Sequence, residues 1–337
     1  MKKLLLWAWI SVLVSMMTGG ISLAASYPSK AVEFIAPASP GGGWDLTCRA
    51  SAKVLQETKM VNVPITVFNK PGGLGAVVFN DIVRNRRTDD YVLIAFSSVL
   101  TSQLALRNIK ATYKDITPIA SLVVDYGVLA VKKDSPYKDL KSILAAMKKN
   151  PGAVSWAGSS APGGLDHFKL CLLAQAYGIP PKDVRYVAFQ GGAEALASLL
   201  GGHVAGFVGD AGEVAAHSEA GTVLPLVILA SQRLPGIYKN TPTAKELGLD
   251  VVSGNWRGFY GPPEMSKEAL AYWEKTLGRM VQEPGWKKVR EQNAWLELFQ
   301  TGETLRAFID RELANQAPSS WRSPSWVFTA CTIQAWT

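Results

Sequence analysis

The sequence predicts an α/β protein built on mostly parallel, buried sheets. Short β-rich runs alternate with helical stretches along most of the chain, the strands are nearly continuous in apolar residues, and glycine-rich turns follow several strands. At 337 residues the chain exceeds one typical domain, so two are expected.

In chain order, the runs VEFIA (32–36), ITVF (65–68), YVLIAF (91–96), GVLAV (127–131), VSWA (154–157), VRYVAF (184–189), VAGFV (204–208) and LPLVILA (224–230) read as strands. Segments 45–57, 75–85, 138–149, 165–177, 193–200, 266–282 and 304–316 have apolar residues at helical spacing. No linker interrupts them, so strands crossing between domains are expected to join the two, with 121–131 and 222–231 the best candidates.

The two ends differ from this body. Lys2 and Lys3 precede an apolar stretch from Leu4 to Met17 and then small residues, the order of a secretory signal over 1–25. About 14 apolar residues are short for a membrane span. Exported, soluble protein is therefore expected. From Ala317 onward, three tryptophans lie among Ser, Pro and Thr without any period, and 317–337 reads as an aberrant tail.

The net charge of +8 falls to +6 without Lys2 and Lys3, and the only dense basic patch is Arg84 to Arg87. No aromatic-interleaved basic stripe accompanies it, so nucleic acid is not an expected partner. Cys48, Cys171 and Cys331 are too widely spaced for a metal pattern, and no disulfide is expected. His167, His203 and His217 lack metal-binding spacing. Neither a metal nor a cofactor is expected.

Enzyme motifs are missing. GGLGAVV fails the dinucleotide fingerprint, no P-loop occurs, and GSSAP lacks the closing glycine of a nucleophile elbow. Ser160, Asp166 and His167 lie too close in sequence to suggest a triad. Trp156 and Trp273 read as core, whereas Trp44 and Trp256, beside glycines, read as cleft walls.

Four glycine-rich turns each lead from a strand into a helix: SPGGGWD (39–45), NKPGGLGA (69–76), AGSSAPGGLDH (157–167) and AFQGGAEA (188–195). Ligands of open α/β sheets bind beyond the carboxyl ends of the strands, where helix N-termini present unpaired N–H groups and partial positive charge. Glycine there admits an anion to the main chain. The expected ligand is a small carboxylate, with Trp44 as a wall and Asp45 capping the helix it starts.

Taken together, YPSKAVEFIAPASPGGGWDLTCRA, VFNKPGGLGAVVFN, TPIASLVVDYGVLAVKKDSPYKDL, VSWAGSSAPGGLDHF, VRYVAFQGGAEALASLLGGHV and NTPTAKELGLDVVSGNWRGFYGPP strongly resemble the Bug family. These are the TctC-type periplasmic receptors of tripartite tricarboxylate transporters, and the resemblance runs over about residues 27–316 in order.

The resemblance implies a two-domain periplasmic binding protein, type II-like, closing like a flytrap on a ligand cleft between the domains. Domain 1 is expected at 26–124 plus 229–316 and domain 2 at 125–228. The family implies a small carboxylate, a tricarboxylate such as citrate ahead of a dicarboxylate, delivered to membrane permease subunits by a monomeric receptor. Implied contacts are Ser39, Gly41, Gly42, Gly43, Trp44 and Asp45 in the first loop, and Ser97 and Ser98 after the third strand. Those from the second domain are Ser159, Ser160, Gly163, Gly164 and His167, with Gln190 and Gly191. A sensory adaptor and a periplasmic carboxylate-processing enzyme are the alternatives.

Gly164 stands where the family pattern leads one to expect serine. Asp210 has two readings: a cleft carboxylate that suits an ammonium group and repels a trianion, or the cap of a helix over 211–220. The tail replaces an expected final helical segment, whose loss is expected to weaken domain 1.

Overall fold

The computed structural model describes residues 27–105 and 109–316; the signal segment, Cys331 and the tail lie outside them. The first part runs β1 (Val32–Ala36), α1 (Gly43–Glu57), β2 (Ile65–Asn69), α2 (Ala76–Asn85), β3 (Val92–Ser97) and α3 (Ser98–Ala105). A long strand follows, β4 (Thr117–Lys132), then α4 (Leu140–Lys149), β5 (Ser155–Gly158), α5 (Leu165–Ala176) and β6 (Arg185–Ala188). Next come α6 (Gly192–Leu200), β7 (Gly206–Asp210), α7 (Ala211–Glu219) and β8 (Val223–Ile228). The chain returns through β9 (Gly254–Gly261), α8 (Lys267–Met280), α9 (Pro284–Asn293), β10 (Leu296–Thr301) and α10 (Gly302–Gln316).

The strands order β2-β1-β3-β9-β4-β7-β5-β6, with β8 and β10 also pairing β4. β4 joins two lobes. Thr117 to Tyr126 pair with β9, whereas Gly127 onward pairs with β7 and β8. Its interior is buried throughout, so this apolar run has core on every side in both lobes. Period-2 alternation supplies that core: Phe34 and Ile35 of β1 enter different clusters, as do Val128 and Leu129 of β4.

The expectation of mostly parallel sheets needs correction. β1 pairs β2 and β3, and β5 pairs β6 and β7, in parallel, but every pairing of β4 and β9 is antiparallel. A chain that crosses to the second lobe and comes back alongside must run in the opposite direction. Of the two crossing candidates, 121–131 lies within β4. The stretch 222–231 packs with the second lobe instead: Leu229 shares a cluster with Leu129, together with Ala244, Leu249 and Val251. This packing favours a return at β9, later than residue 229.

Two strands escaped the sequence reading. GNWRGFYG of β9 contains a charge and three glycines, and at Gly258 a Cβ would stand 2.0 Å from the Ala120 carbonyl oxygen. The glycine that looks like a turn signal is there because two backbones approach. Among the described residues β10 pairs only with β4, at one side of the joint.

Candidate functional site

Residues at or just beyond the carboxyl ends of β1, β2, β3, β5, β6 and β7 converge on one cavity of about 350 Å³. From the first lobe, Gly42, Gly43, Trp44 and Ser97 line it, with Gly72 to Leu74 at one side. From the second come Ser159, Ser160, Gln190, Gly191, Asp210 and Glu213. Asn255 and Arg257 of β9 complete it. α1 and α6 both begin at this cavity, at Gly43 and Gly192, and the first N–H groups of a helix have no partner within it. Two partial positive charges therefore meet across the cleft.

The glycines have distinct reasons. A Cβ on Gly43 would lie 2.0 Å from Nη2 of Arg257, so this glycine makes room for a guanidinium. Gly41, at φ +81°, would place a Cβ 3.0 Å from Cβ of Ala193, and one on Gly191 would stand 2.8 Å from Cβ of Ser39. The loops of the two lobes thus touch beside the cavity, and Ser39 and Gly41 make that contact instead of lining the cavity.

Arg257 anchors a buried charge network at the joint. Its Nη2 donates to Asp125 at 3.1 Å and to Asp210 at 2.6 Å. Asp210 also accepts from Nδ2 of Asn255 and from Nζ of Lys169, and Lys169 in turn donates to Asp166 at 3.0 Å. Lys169 is fully buried, and such an ammonium persists only because two carboxylates and the Gly209 carbonyl receive its protons. Burial disfavours the Asp210 carboxylate, but Lys169 and Arg257 outweigh burial and hold its pKa low. Burial pushes the Asp125 carboxyl up to about 6, against Arg257.

The helix-cap reading of Asp210 holds: it is the N-cap residue of α7, in a capping box with Glu213. It also lines the cavity, where its oxygens are taken by Lys169, Arg257 and Asn255. The N–H of Asp210 donates to Glu213 at 3.0 Å.

Asp45 does not cap α1; Gly42 occupies that position. From the first turn its carboxylate accepts the Gly41 N–H at 2.9 Å, the Asn69 amide at 2.9 Å and the Arg49 Nε–H at 2.9 Å. It shapes the loop from behind. Asp45→Ala is expected to leave the Gly41 N–H and Asn69 short of an acceptor and to lower stability by about 1–3 kcal/mol, read from urea midpoints.

Trp44 does line the cavity, held by its Nε1–H donating to Ser97 at 3.0 Å. Ser98 faces away and accepts the Trp256 N–H at 3.3 Å. Trp256, read as a cleft wall, is core: it is fully buried against Phe96 and Phe308. Burial of that strand was not visible among its glycines.

In the second loop, Ser160 and Ser159 line the cavity while Gly163, Gly164 and His167 stand behind it. His167 Nδ1 accepts the Gly163 N–H at 2.8 Å, its ring packs on Tyr186, and burial lowers its pKa. Gly164 admits no side chain, because a Cβ would stand 2.8 Å from that of Ser160. The expected serine is excluded by space, and Oγ of Ser160 itself accepts the Asp166 N–H at 3.0 Å. Cys48 and Cys171 are buried free thiols.

Residues the sequence reading missed are Arg257, Asn255, Asp166, Lys169, Asp125 and Glu213. A lysine inside an apolar helix pattern, LDHFKLCLL, was a usable signal for a buried partner.

The chain is 26% identical to protein BugT of Bordetella pertussis over 309 residues, 89% of this chain and 92% of that protein. Its fold matches the periplasmic binding protein BugD (TM-score 0.79, 21% identity, 88% of this chain and 98% of the other). It also matches MatC of Rhodopseudomonas palustris with bound malate (TM-score 0.74, 21% identity, covering 86% and 99%). An R. palustris protein with adipate gives a TM-score of 0.79 at 19% identity, covering 90% and 98%. The fold is therefore that of two-domain periplasmic binding proteins, and the relatives are binding receptors. The model of the tripartite tricarboxylate transporter family receptor matches residues 49–318, and the chain belongs to that family.

Proposed function

We propose that the protein is an extracytoplasmic receptor that holds a small carboxylate between its lobes and delivers it to the membrane subunits of a tripartite transporter. The carrying observation is the convergence of the α1 and α6 N-termini on one cavity. Hydrogen bonds to a charged group contribute roughly 1.5–3 kcal/mol each, and a helix terminus about 0.3–1 kcal/mol. Four or five such contacts, less the cost of association, reach about −8 kcal/mol, micromolar binding.

The charges in the walls favour a dicarboxylate over the citrate expected from the sequence. Asp166, Asp210 and Glu213 line the cavity, and Arg257, its one lining cation among the described residues, is already paired with Asp125 and Asp210. A third ligand charge has no counter-ion there. Malate and adipate in similarly folded receptors support the same class.

The receptor does no chemistry, since Ser160 and His167 serve loop geometry. It is exported by residues 1–25 and works as a periplasmic monomer. Ligand bridges the lobes, and the contact of Ser39 with Gly191 belongs to the closed form that docks on the permease.

The test is thermal melting of the chain from residue 26 onward against malate, adipate, citrate and acidic amino acids. At about a hundred times its Kd, a ligand is expected to stabilise by about 2.7 kcal/mol. A shift with dicarboxylates and none with citrate is the expected pattern. Silence across the panel would sink the carboxylate reading.

A further inference from the structure

Among the described residues, Glu213 is the charged lining residue that forms no ion pair. It sits in the first turn of α7, and its carboxyl fills room left by two glycines. A Cβ on Gly192 would stand 2.6 Å from Oε1, and one on Gly209 would stand 2.6 Å from Oε2. Oε2 accepts the Asp210 N–H. Among the described residues it forms no ion pair, because Lys169 is held by Asp166 and Asp210, and Arg257 by Asp125 and Asp210.

The titratable groups near it come from several elements. Asp210 precedes it from β7, Asp166 and Lys169 belong to α5, Asp125 to β4, Arg257 to β9 and Tyr186 to β6. Glu194 of α6 is exposed and accepts the Gln190 N–H. Three aspartates against Lys169 and Arg257 already leave one negative charge. An ionised Glu213, itself part-buried, makes two before any anion enters the cavity.

We propose that Glu213 sets the charge of the loaded cleft: the receptor takes up its carboxylate only with Glu213 protonated, so anion and proton bind together. The proton comes from solvent, and the neutral carboxyl can donate its O–H toward the bound anion. This rests on the carboxylate-receptor reading. The chemistry of the site agrees, since burial, then Asp210 and Asp166, push the Glu213 carboxyl up to about 8 despite Arg257.

The experiment is titration calorimetry with malate and adipate from about pH 7 to 9.5, in two buffers of different ionisation enthalpy, on the wild type and Glu213→Gln. Both ligands are fully ionised in that window, since ordinary carboxyls titrate near 4. Lys169 stays charged and Tyr186 neutral, because the pKa of each is raised. With only the protonated fraction competent, the wild-type Kd is expected to weaken about tenfold between pH 7 and pH 9, with uptake approaching one proton per ligand at pH 9. Glutamine keeps the acceptor for the Asp210 N–H and cannot ionise, so its affinity is expected to be flat with pH and without proton uptake.

A wild-type affinity constant over this range overturns the proposal and leaves the receptor reading standing, as does a Glu213→Gln slope equal to the wild type. Absence of binding by either anion at any pH removes the receptor reading first and this inference with it. Should the variant not fold, infrared difference spectra of the wild type at about pH 9 decide: ligand addition is expected to raise the protonated-carboxyl band, and no change overturns the proposal.

Discussion

Arg257→Met is expected to lower folding stability by about 3–5 kcal/mol, because removing one partner of a buried ion pair leaves uncompensated charge behind. Here two carboxylates are left. Asp125, on the crossing strand, keeps only the Trp295 indole N–H and the Gly212 N–H. Asp210 keeps Lys169 and Asn255. The loss is expected to depend on pH with a definite sign. The Asp125 carboxyl already lies near 6 in the folded protein, above its ordinary value, so the folded state favours its protonated form. Such a group destabilises progressively as pH rises from about 4 through its folded pKa. Without the guanidinium that pKa moves higher, and the deficit is expected to be larger at about pH 8 than at pH 5. Urea midpoints at the two pH values read it, and a loss under about 1 kcal/mol at both would show that the network is not a main support of the joint.

Gly43→Ala is the second large effect, and its sign separates two explanations of the glycine. If Gly43 only started a helix, alanine would stabilise the protein by up to about 1 kcal/mol through helix propensity. The geometry predicts the reverse. The new methyl would overlap Nη1, Nη2 and Cζ of Arg257, all within 2.2 Å. The guanidinium can withdraw only by giving up its buried bonds to Asp125 and Asp210. Either α1 shifts or the network breaks, and both move the helix terminus proposed to receive the ligand. The expected outcome is a lower melting temperature and no further shift with malate or adipate. A stabilised variant that still responds to ligand would refute the close approach.

Much of the fold was legible because its signals are local. Apolar runs of five or six residues marked β1, β3 and β7, helical spacing marked α1, α4 and α8, and glycine-rich turns marked where strands hand over to helices. Half of the predicted first loop, Gly42 to Trp44, lines the cavity, with Ser97, Ser159, Ser160, Gln190 and Gly191. Those placements followed from strand ends, which a sequence displays. The roles of Ser39, Gly41, Asp45 and His167 did not follow, since a loop residue can face a ligand, the other lobe or its own helix with the same sequence around it. β9 was lost for a related reason: its glycines answer to the neighbouring strand β4, whose backbone lies almost against Gly258.

By itself, the sequence determined an α/β chain whose glycine-rich loops open onto helix N-termini, and it carried the family resemblance in the order of those loops. Only the tertiary structure decided what the glycines make room for. Gly43 accommodates an arginine from a strand far along the chain, and Gly192 and Gly209 accommodate a glutamate. Periodicity and turn chemistry act over a few residues and can be read in a window of that length. The pairing of buried charges depends on which strands lie side by side, and here β4, crossing between the lobes, and β9, returning beside it, set that order.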